Sequence, residues 1–258
     1  MAKLSIIILT WNSEKYIEAC FESLLKSVQH LDYEILVVDN GSSDSSLSLL
    51  SKYLSNQITL IKNPTNEGVA RARNKALLKV AGDRILILDI DTEINKEAID
   101  GLIGLLEKDE HIGLCGCKLV SLTGEVQLSC RKFPSIRYKL YNLLVSRNIM
   151  LNNNESQFYK QDMNGNKPFE VDYVIGACQL FRRNILDEVG YLDEHIFYGP
   201  EDADFCLRIK KAGWKVVYLP TVSLIHHYQQ ISNKKIISKM SFLHAKGLAY
   251  YFLKHHSW

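Results

Sequence analysis

Two carboxylates one residue apart, Asp89 and Asp91, close the run Ile85-Leu-Ile-Leu-Asp-Ile-Asp-Thr-Glu93. Carboxylates at that spacing can hold a divalent cation together with the phosphate oxygens it neutralises. The four aliphatic residues before them read as a strand buried on both faces, as in the middle of a parallel sheet. In such sheets ligands collect at the carboxyl ends of the strands. Taken alone, an Asp-x-Asp pair is more readily a helix cap beside a solvated acid, so its meaning depends on what surrounds it.

The preceding chain supplies three further polar strand ends. Residues 4–9 read as a strand ending at Thr10-Trp-Asn12, with a helix following to about Val28. Residues 33–38 read as a second strand ending in Asp39-Asn-Gly-Ser-Ser-Asp44, where Ser42 or Ser43 is expected to cap the next helix. Residues 58–61 make a short third strand before Asn63-Pro-Thr-Asn-Glu-Gly68, and a helix carrying Arg71, Arg73 and Lys75 leads to the acidic strand. Strands and helices alternating across short connections imply right-handed parallel crossovers, hence an α/β sandwich with a mostly parallel central sheet. Thr10, Asn12, Asp39, Asn66, Glu67, Asp89 and Asp91 then fall on one sheet edge, where a nucleotide would lie. No Gly-x-Gly-x-x-Gly or Walker-type sequence is present, which removes the dinucleotide and P-loop readings.

Beyond a helix near residues 95–109 the pattern changes. Ile112–Val120 and Glu125–Ser129 flank a Thr123-Gly124 turn and read as a hairpin. Residues 131–170 carry no periodicity and are expected to include a substrate-covering loop. Order resumes over Val171–Arg183, and acids crowd the stretch from Asp193 to Asp204 ahead of a helix ending at Gly213. Acids in that helix's first turn and Lys210-Lys211 in its last complement the helix dipole, so part of this pattern is structural. Short strands at Lys215–Tyr218 and Val222–Ile225 flank Pro220, and His226-His227 follows. A closing helix, about 234–255, gathers Ile236, Ile237, Met240, Leu243, Leu248, Tyr251 and Phe252 on one side, with most of its lysines expected on the other.

Composition bounds the rest. Hydrophobic residues at 47% and charged residues at 23% suit a globular enzyme, and 258 residues suffice for a sizeable core. No apolar run approaches the roughly 20 residues of a membrane span. The six cysteines contain no Cys-x-x-Cys pair and are expected to be buried free thiols, which makes the cytoplasm the default location. Of 31 basic residues nine follow Asp204, where no acid occurs, leaving 22 basic against 29 acidic before it. A basic end on an acidic body suggests that the end meets an anionic surface. No nucleic-acid partner is expected.

The segments SIIILTWN, ILVVDNGSSD, NEGVARARN, ILILDIDTE, VIGACQLFRR, VGYLDE, GPEDADFCLRIKKAGW and LIHH, in this order, resemble the family 2 glycosyltransferases of GT-A fold. Arg131-Lys-Phe-Pro-Ser135 and the Tyr-Tyr-Phe-Leu-Lys-His-His ending further resemble the rhamnosyltransferase-like branch. Many members of that branch carry Asn-Pro-Asp where this chain has Asp-Ile-Asp, and Gly199-Pro200 replaces the bulkier residues usual before Glu-Asp. The resemblance implies an inverting transferase that uses Mn²⁺ or Mg²⁺ and a dTDP- or UDP-sugar donor. Its acceptor would be a glycan or polyprenyl-linked glycan of cell-surface polysaccharide. Thr10, Asn12 and Asp39 would contact base and ribose, with Asn66 and Arg73 near the nucleotide. Asp89 would meet the ribose or the metal's water, Asp91 the metal, and a histidine of the LIHH run the metal or diphosphate. Counting from Pro220 favours His226 and counting back from Ser232 favours His227; neighbouring strand residues face opposite sides, so at most one reaches the ion. His226 is the expected ligand.

The general base implied is Asp202, with Glu201 beside it. A helix N-terminus favours the charged form of both, and their mutual repulsion opposes it, so only the family pattern ranks Asp202 first. The implied organisation is a catalytic domain over 1–233, with a nucleotide-sugar half over 1–117 and an acceptor half over 118–233. An amphipathic helix over 234–258 would follow, turned to the inner face of the cytoplasmic membrane, to the catalytic domain or to a second copy in a homodimer. Two rivals accompany this reading. Asp89-Ile-Asp-Thr92 also fits the opening Asp-x-Asp-x-Thr of haloacid-dehalogenase-like phosphatases, although there it ends a first strand and here a fourth. The other rival is a non-catalytic nucleotide-sugar-binding protein on the same fold.

Overall fold

A computed structural model describes residues 3–136, 163–227 and 239–256. The first half runs β1 (Leu4–Thr10), α1 (Ile17–Val28), β2 (Tyr33–Asp39), α2 (Ser46–Ser51), β3 (Ile58–Lys62), α3 (Val69–Leu77) and β4 (Arg84–Asp89). Then come β5 (Thr92–Glu93), α4 (Lys96–Lys108), β6 (Ile112–Val120), β7 (Val126–Gln127), β8 (Cys130–Arg131), β9 (Phe169–Glu170) and β10 (Tyr173–Val174). β11 (Cys178–Arg182), α5 (Asn184–Val189), α6 (Glu201–Lys211), β12 (Lys215–His226) and α7 (Lys239–His255) complete the described elements.

The main sheet has the order β3-β2-β1-β4-β11-β6-β12-β5. β3, β2, β1 and β4 are parallel neighbours, β12 is parallel to β6, and β11 lies antiparallel between β4 and β6. Apolar residues cover both faces of the sheet. On one side Ile6, Ile8, Leu86 and Leu88 pack with Ile17, Phe21 and Leu24 of α1 and with Ile99, Leu102 and Leu106 of α4. On the other, Ile7, Ile85 and Ile87 pack with α3, α5, α6 and residues Tyr251 and Phe252 of α7. Alternate residues of β1 and β4 thus serve opposite layers, as expected for central strands, and the protein is an α/β sandwich of GT-A type. All six cysteines are free and buried.

Several local expectations change. Neither Ser42 nor Ser43 caps a helix: α2 begins at Ser46, and the Ser42 hydroxyl accepts the Asn12 N–H at 2.9 Å. The two short strands around Pro220 are one strand, β12, whose pairing to β6 shifts register between Leu219 and Ser223. A register shift tolerates a residue with no N–H, which is why proline does not divide the strand. The N-terminal part of the expected closing helix, with Ile236 and Ile237, and most of the 131–170 segment lie outside the described residues. Lys254 is turned inward rather than to solvent: its Nζ lies 2.6 Å from an oxygen of fully buried Asp204 and 2.7 Å from Asp193. Burial pushes the Asp204 carboxyl up, but Arg208, Lys254 and His255 together hold it below the usual carboxylate range.

Candidate active site

Asp89 ends β4, Asp91 follows it, and His226 ends β12, which reaches them through the β5 pairing His226–Thr92. One ligand atom from each of Asp89, Asp91 and His226 falls within 4.8 Å of the others. His226 Nε2 lies 3.6 Å from Asp91 Oδ1. Gln127, on β7, orients the ring. Its amide nitrogen donates to the His226 carbonyl at 2.8 Å, which leaves its amide oxygen 2.7 Å from His226 Nδ1. That oxygen can only accept, so Nδ1 carries the proton and Nε2 keeps its lone pair toward the carboxylates. Burial also lowers the His226 pKa, which favours the neutral ring that a metal requires. His227 turns away: its Nε2 lies 2.6 Å from Glu93, and its N–H donates to the Asp91 carbonyl.

Two carboxylates and an imidazole are a donor set for Mn²⁺ or a similar divalent ion. Burial first, and then the Asp89 charge, push Asp91 up to about 7, a repulsion that a shared cation removes. Gln127→Ala is therefore expected to weaken Mn²⁺ binding about 10–100-fold, the usual effect of losing a partner that orients a ligand. Calorimetric Mn²⁺ titration of the variant checks this, and an unchanged affinity would leave Gln127 with only a packing role. Sequence reasoning missed Gln127, because nothing in a two-residue strand marks it as facing a histidine 99 residues away.

The neighbouring strand ends carry polar atoms without partners. Thr10 and Asp39 are cross-strand neighbours, each 1% exposed, and Thr10 Oγ1 and Asp39 Oδ1 have no hydrogen-bond partner. Buried polar atoms left unpaired are costly, and these two lie side by side at the ends of β1 and β2. Asn12 reaches across instead, its Oδ1 accepting the Ser43 N–H at 2.7 Å, and it lines a hollow of about 320 Å³ with Trp11, Asp89 and Asp91. Asn66 is committed to its own loop, where its Oδ1 accepts from Asn40 Nδ2 and from the Gly68 N–H, each at 3.0 Å. Asn40, 2% exposed and overlooked in the sequence, is the hub of that loop: its Oδ1 also takes Asn63 Nδ2 and the Glu67 N–H.

Arg73 is buried beneath the site. Its Nη2 donates to Asp89 Oδ1 at 2.5 Å and to the Gly176 carbonyl at 3.0 Å, and its Nη1 lies 3.9 Å from Glu201 Oε1. It thus braces the metal-side acid against the opposite acid pair. Glu201 and Asp202 open α6 just after the cis Gly199–Pro200 peptide. Burial, then the Asp202 charge, raise Glu201 to about 7 against the pull of Arg73. Asp202 accepts the Ala203 N–H at 2.7 Å and the Gly176 N–H at 3.3 Å, while burial raises its pKa. Asp89, Asp91, Arg73, Glu201, Asp202 and His226 all line one cavity of about 480 Å³. A hollow of about 990 Å³ beside His111 and Trp214 opens at the opposite sheet edge and holds none of them.

The family model for glycosyl transferase family 2 matches residues 5–190. The chain belongs to that family. As a family 2 glycosyltransferase it is an enzyme that moves a sugar from a nucleotide-sugar donor to an acceptor with the help of a divalent cation. The transferase is 25% identical over 267 residues to the N-acetylglucosaminyl-diphospho-decaprenol L-rhamnosyltransferase of Mycobacterium tuberculosis, covering 99% of this chain and 86% of that protein. Among solved structures it resembles GalNAc-T7 with UDP, GalNAc and Mn²⁺ (TM-score 0.67, 16% identity, 89% of this chain and 44% of that one). It also resembles Staphylococcus aureus TarS 1-349 with UDP-GlcNAc (TM-score 0.62, 21% identity, 93% and 64%). The glycosyltransferase thus spans less than half of the GalNAc-T7 chain. Membership in the family removes the phosphatase reading of Asp89-Ile-Asp-Thr92: the Thr92 hydroxyl donates to the Asp89 carbonyl at 2.7 Å and shapes the turn.

Proposed function

We propose that the enzyme transfers rhamnose from dTDP-rhamnose, or a hexose from its UDP donor, to a glycan or polyprenyl-linked acceptor of cell-surface polysaccharide, with inversion. The observation that carries this is the shared cavity: Asp89, Asp91 and His226 line one part of it, and Asp202 opens into the same space. A cation held by Asp91, Asp89 and His226 would act as a Lewis acid on the departing diphosphate. Thr10 and Asp39 would receive base and ribose. Asp202 would accept the proton of the attacking hydroxyl, its orientation set by the Ala203 and Gly176 N–H groups. A base and a leaving-group support in a single displacement give inversion at the anomeric carbon. The 25% relative names a lipid diphosphate acceptor, which favours that class here.

Mn²⁺-dependent hydrolysis of dTDP-rhamnose and common UDP-hexoses, followed by transfer to a synthetic N-acetylglucosaminyl-diphospho-lipid, tests the proposal. Binding of every donor without turnover would favour a non-catalytic sugar-nucleotide receptor. For a lipid-linked acceptor we place the enzyme at the inner face of the cytoplasmic membrane. Phe242 and Leu253 on α7 are 70% and 64% exposed, with exposed Lys246 on the same helix. Phe242→Asp with Leu253→Asp is expected to reduce co-sedimentation with anionic vesicles at least severalfold. A change in oligomeric state with no change in vesicle binding would assign those side chains to a homodimer instead.

A further inference from the structure

Helix α7 does not merely cover the core; one of its residues enters the catalytic cavity. His244 lines the same 480 Å³ space as Glu201, Asp202 and Tyr198. Two glycines allow this approach. A Cβ on Gly247 would lie 2.5 Å from the Gly199 carbonyl oxygen, and a Cβ on Gly199 (φ +44°) would lie 2.8 Å from His244 Nδ1. The turn leading to Glu201 and Asp202 therefore meets α7 backbone to backbone, with His244 resting over Gly199. About three turns further along α7, Lys254 Nζ at 2.6 Å and His255 Nε2 at 2.7 Å hold Asp204 of α6, which Arg208 Nε of the same helix also meets at 2.9 Å. Asp193 takes Lys254 at 2.7 Å and the Tyr250 hydroxyl at 3.0 Å. The helix is thus seated, through its middle and its last turns, on α6 and the segment leading into it.

We propose that His244 is an acceptor-binding residue: its imidazole hydrogen-bonds a hydroxyl of the acceptor sugar next to the one that attacks, and so helps select the acceptor. This rests on the reading of the cavity as a transfer site with Asp202 as base. In that reading the metal-side acids, His226, Thr10 and Asp39 serve the donor. On the Asp202 side, His244 and Tyr198 supply polar groups from outside the sheet, their rings 6.2 Å apart and near perpendicular. An imidazole both donates and accepts, as a sugar hydroxyl does, and a site built to pair a hydroxyl discriminates strongly against acceptors lacking it.

The test measures how activated donor divides between water and acceptor. With the donor that the wild-type enzyme hydrolyses in Mn²⁺, and a subsaturating short-chain N-acetylglucosaminyl-diphospho-lipid, the hydrolysis-to-transfer ratio is recorded. His244→Ala is expected to raise that ratio about tenfold, the loss of one net hydrogen bond, through a higher acceptor KM. His244→Asn, which keeps a donor and an acceptor, should recover part of the loss. An unchanged ratio in a folded His244→Ala, or equal falls in hydrolysis and transfer in both variants, overturns the assignment. A wild-type enzyme that hydrolyses the donor yet transfers to no such lipid instead overturns the acceptor class, and this proposal with it.

Discussion

Asp202→Asn is expected to lower transfer by about 10²–10⁴-fold while donor affinity stays within a fewfold of wild type. The magnitude is that of a positioned general base. The Asn keeps an oxygen for the Ala203 or Gly176 N–H, so the first turn of α6 keeps its shape and the loss is chemical. Donor affinity is retained because the cation ligands lie on β4, its following turn and β12, none of which Asp202 touches among the described bonds. Rates at saturating donor and acceptor, with nucleotide-sugar binding by calorimetry, separate the two effects. An undiminished rate would remove Asp202 as the base and return attention to Glu201. The matching Glu201→Gln variant has a different expectation: Glu201 is 8% exposed and faces Arg73, so its loss should disturb stability and geometry before chemistry.

Arg73→Met is expected to destabilise the fold by about 3 kcal/mol, near the lower end for removing one partner of a buried ion pair. The guanidinium is 5% exposed and serves Asp89, the Gly176 carbonyl and, more distantly, Glu201. Without it Glu201 loses the guanidinium that offsets its repulsion with Asp202, and the Gly176 carbonyl loses its donor. Asp89 is a third exposed, so water offsets part of the loss on that side and keeps the figure low. The urea unfolding midpoint at constant slope measures the effect. A change under about 0.5 kcal/mol would show that Arg73 contributes little to stability.

The parallel half was legible because its physics is local. Ile6–Ile8 and Ile85–Leu88 are apolar on both faces, and each strand ends in a polar residue at a tight turn. The Asp89, Asp91 and His226 grouping followed from the family pattern, and the geometry separates His226 from His227 by which side chain meets Glu93. What stayed hidden depends on contacts between distant residues. Arg73 is expected near the nucleotide, but its pairing with Asp89 and its approach to Glu201 could not be read from the sequence. Gln127, Asn40 and His244 act through partners that no local period encodes. Lys254 fits the polar stripe of an amphipathic helix until Asp193 and Asp204, some fifty to sixty residues away, draw it inward.

The antiparallel strand β11 also bears on how the enzyme assembles. It fills the gap between β4 and β6, pairing Cys178 with Leu88 and Phe181 with Leu114. Until residues 178–182 have been made, the strand that ends in Asp89 has one bare edge, and β6 has only the short β7 beside it, because β12 is made later still. Bare strand edges invite the wrong neighbour. A growing chain must therefore keep both edges apart for roughly ninety residues of synthesis beyond β4. The nucleotide half is accordingly not a unit that finishes folding by itself: its fourth strand is sealed by the segment that also brings Gly176 to Arg73 and Asp202. Truncation before β11 would cost the metal-binding edge its neighbour as well as the acceptor side.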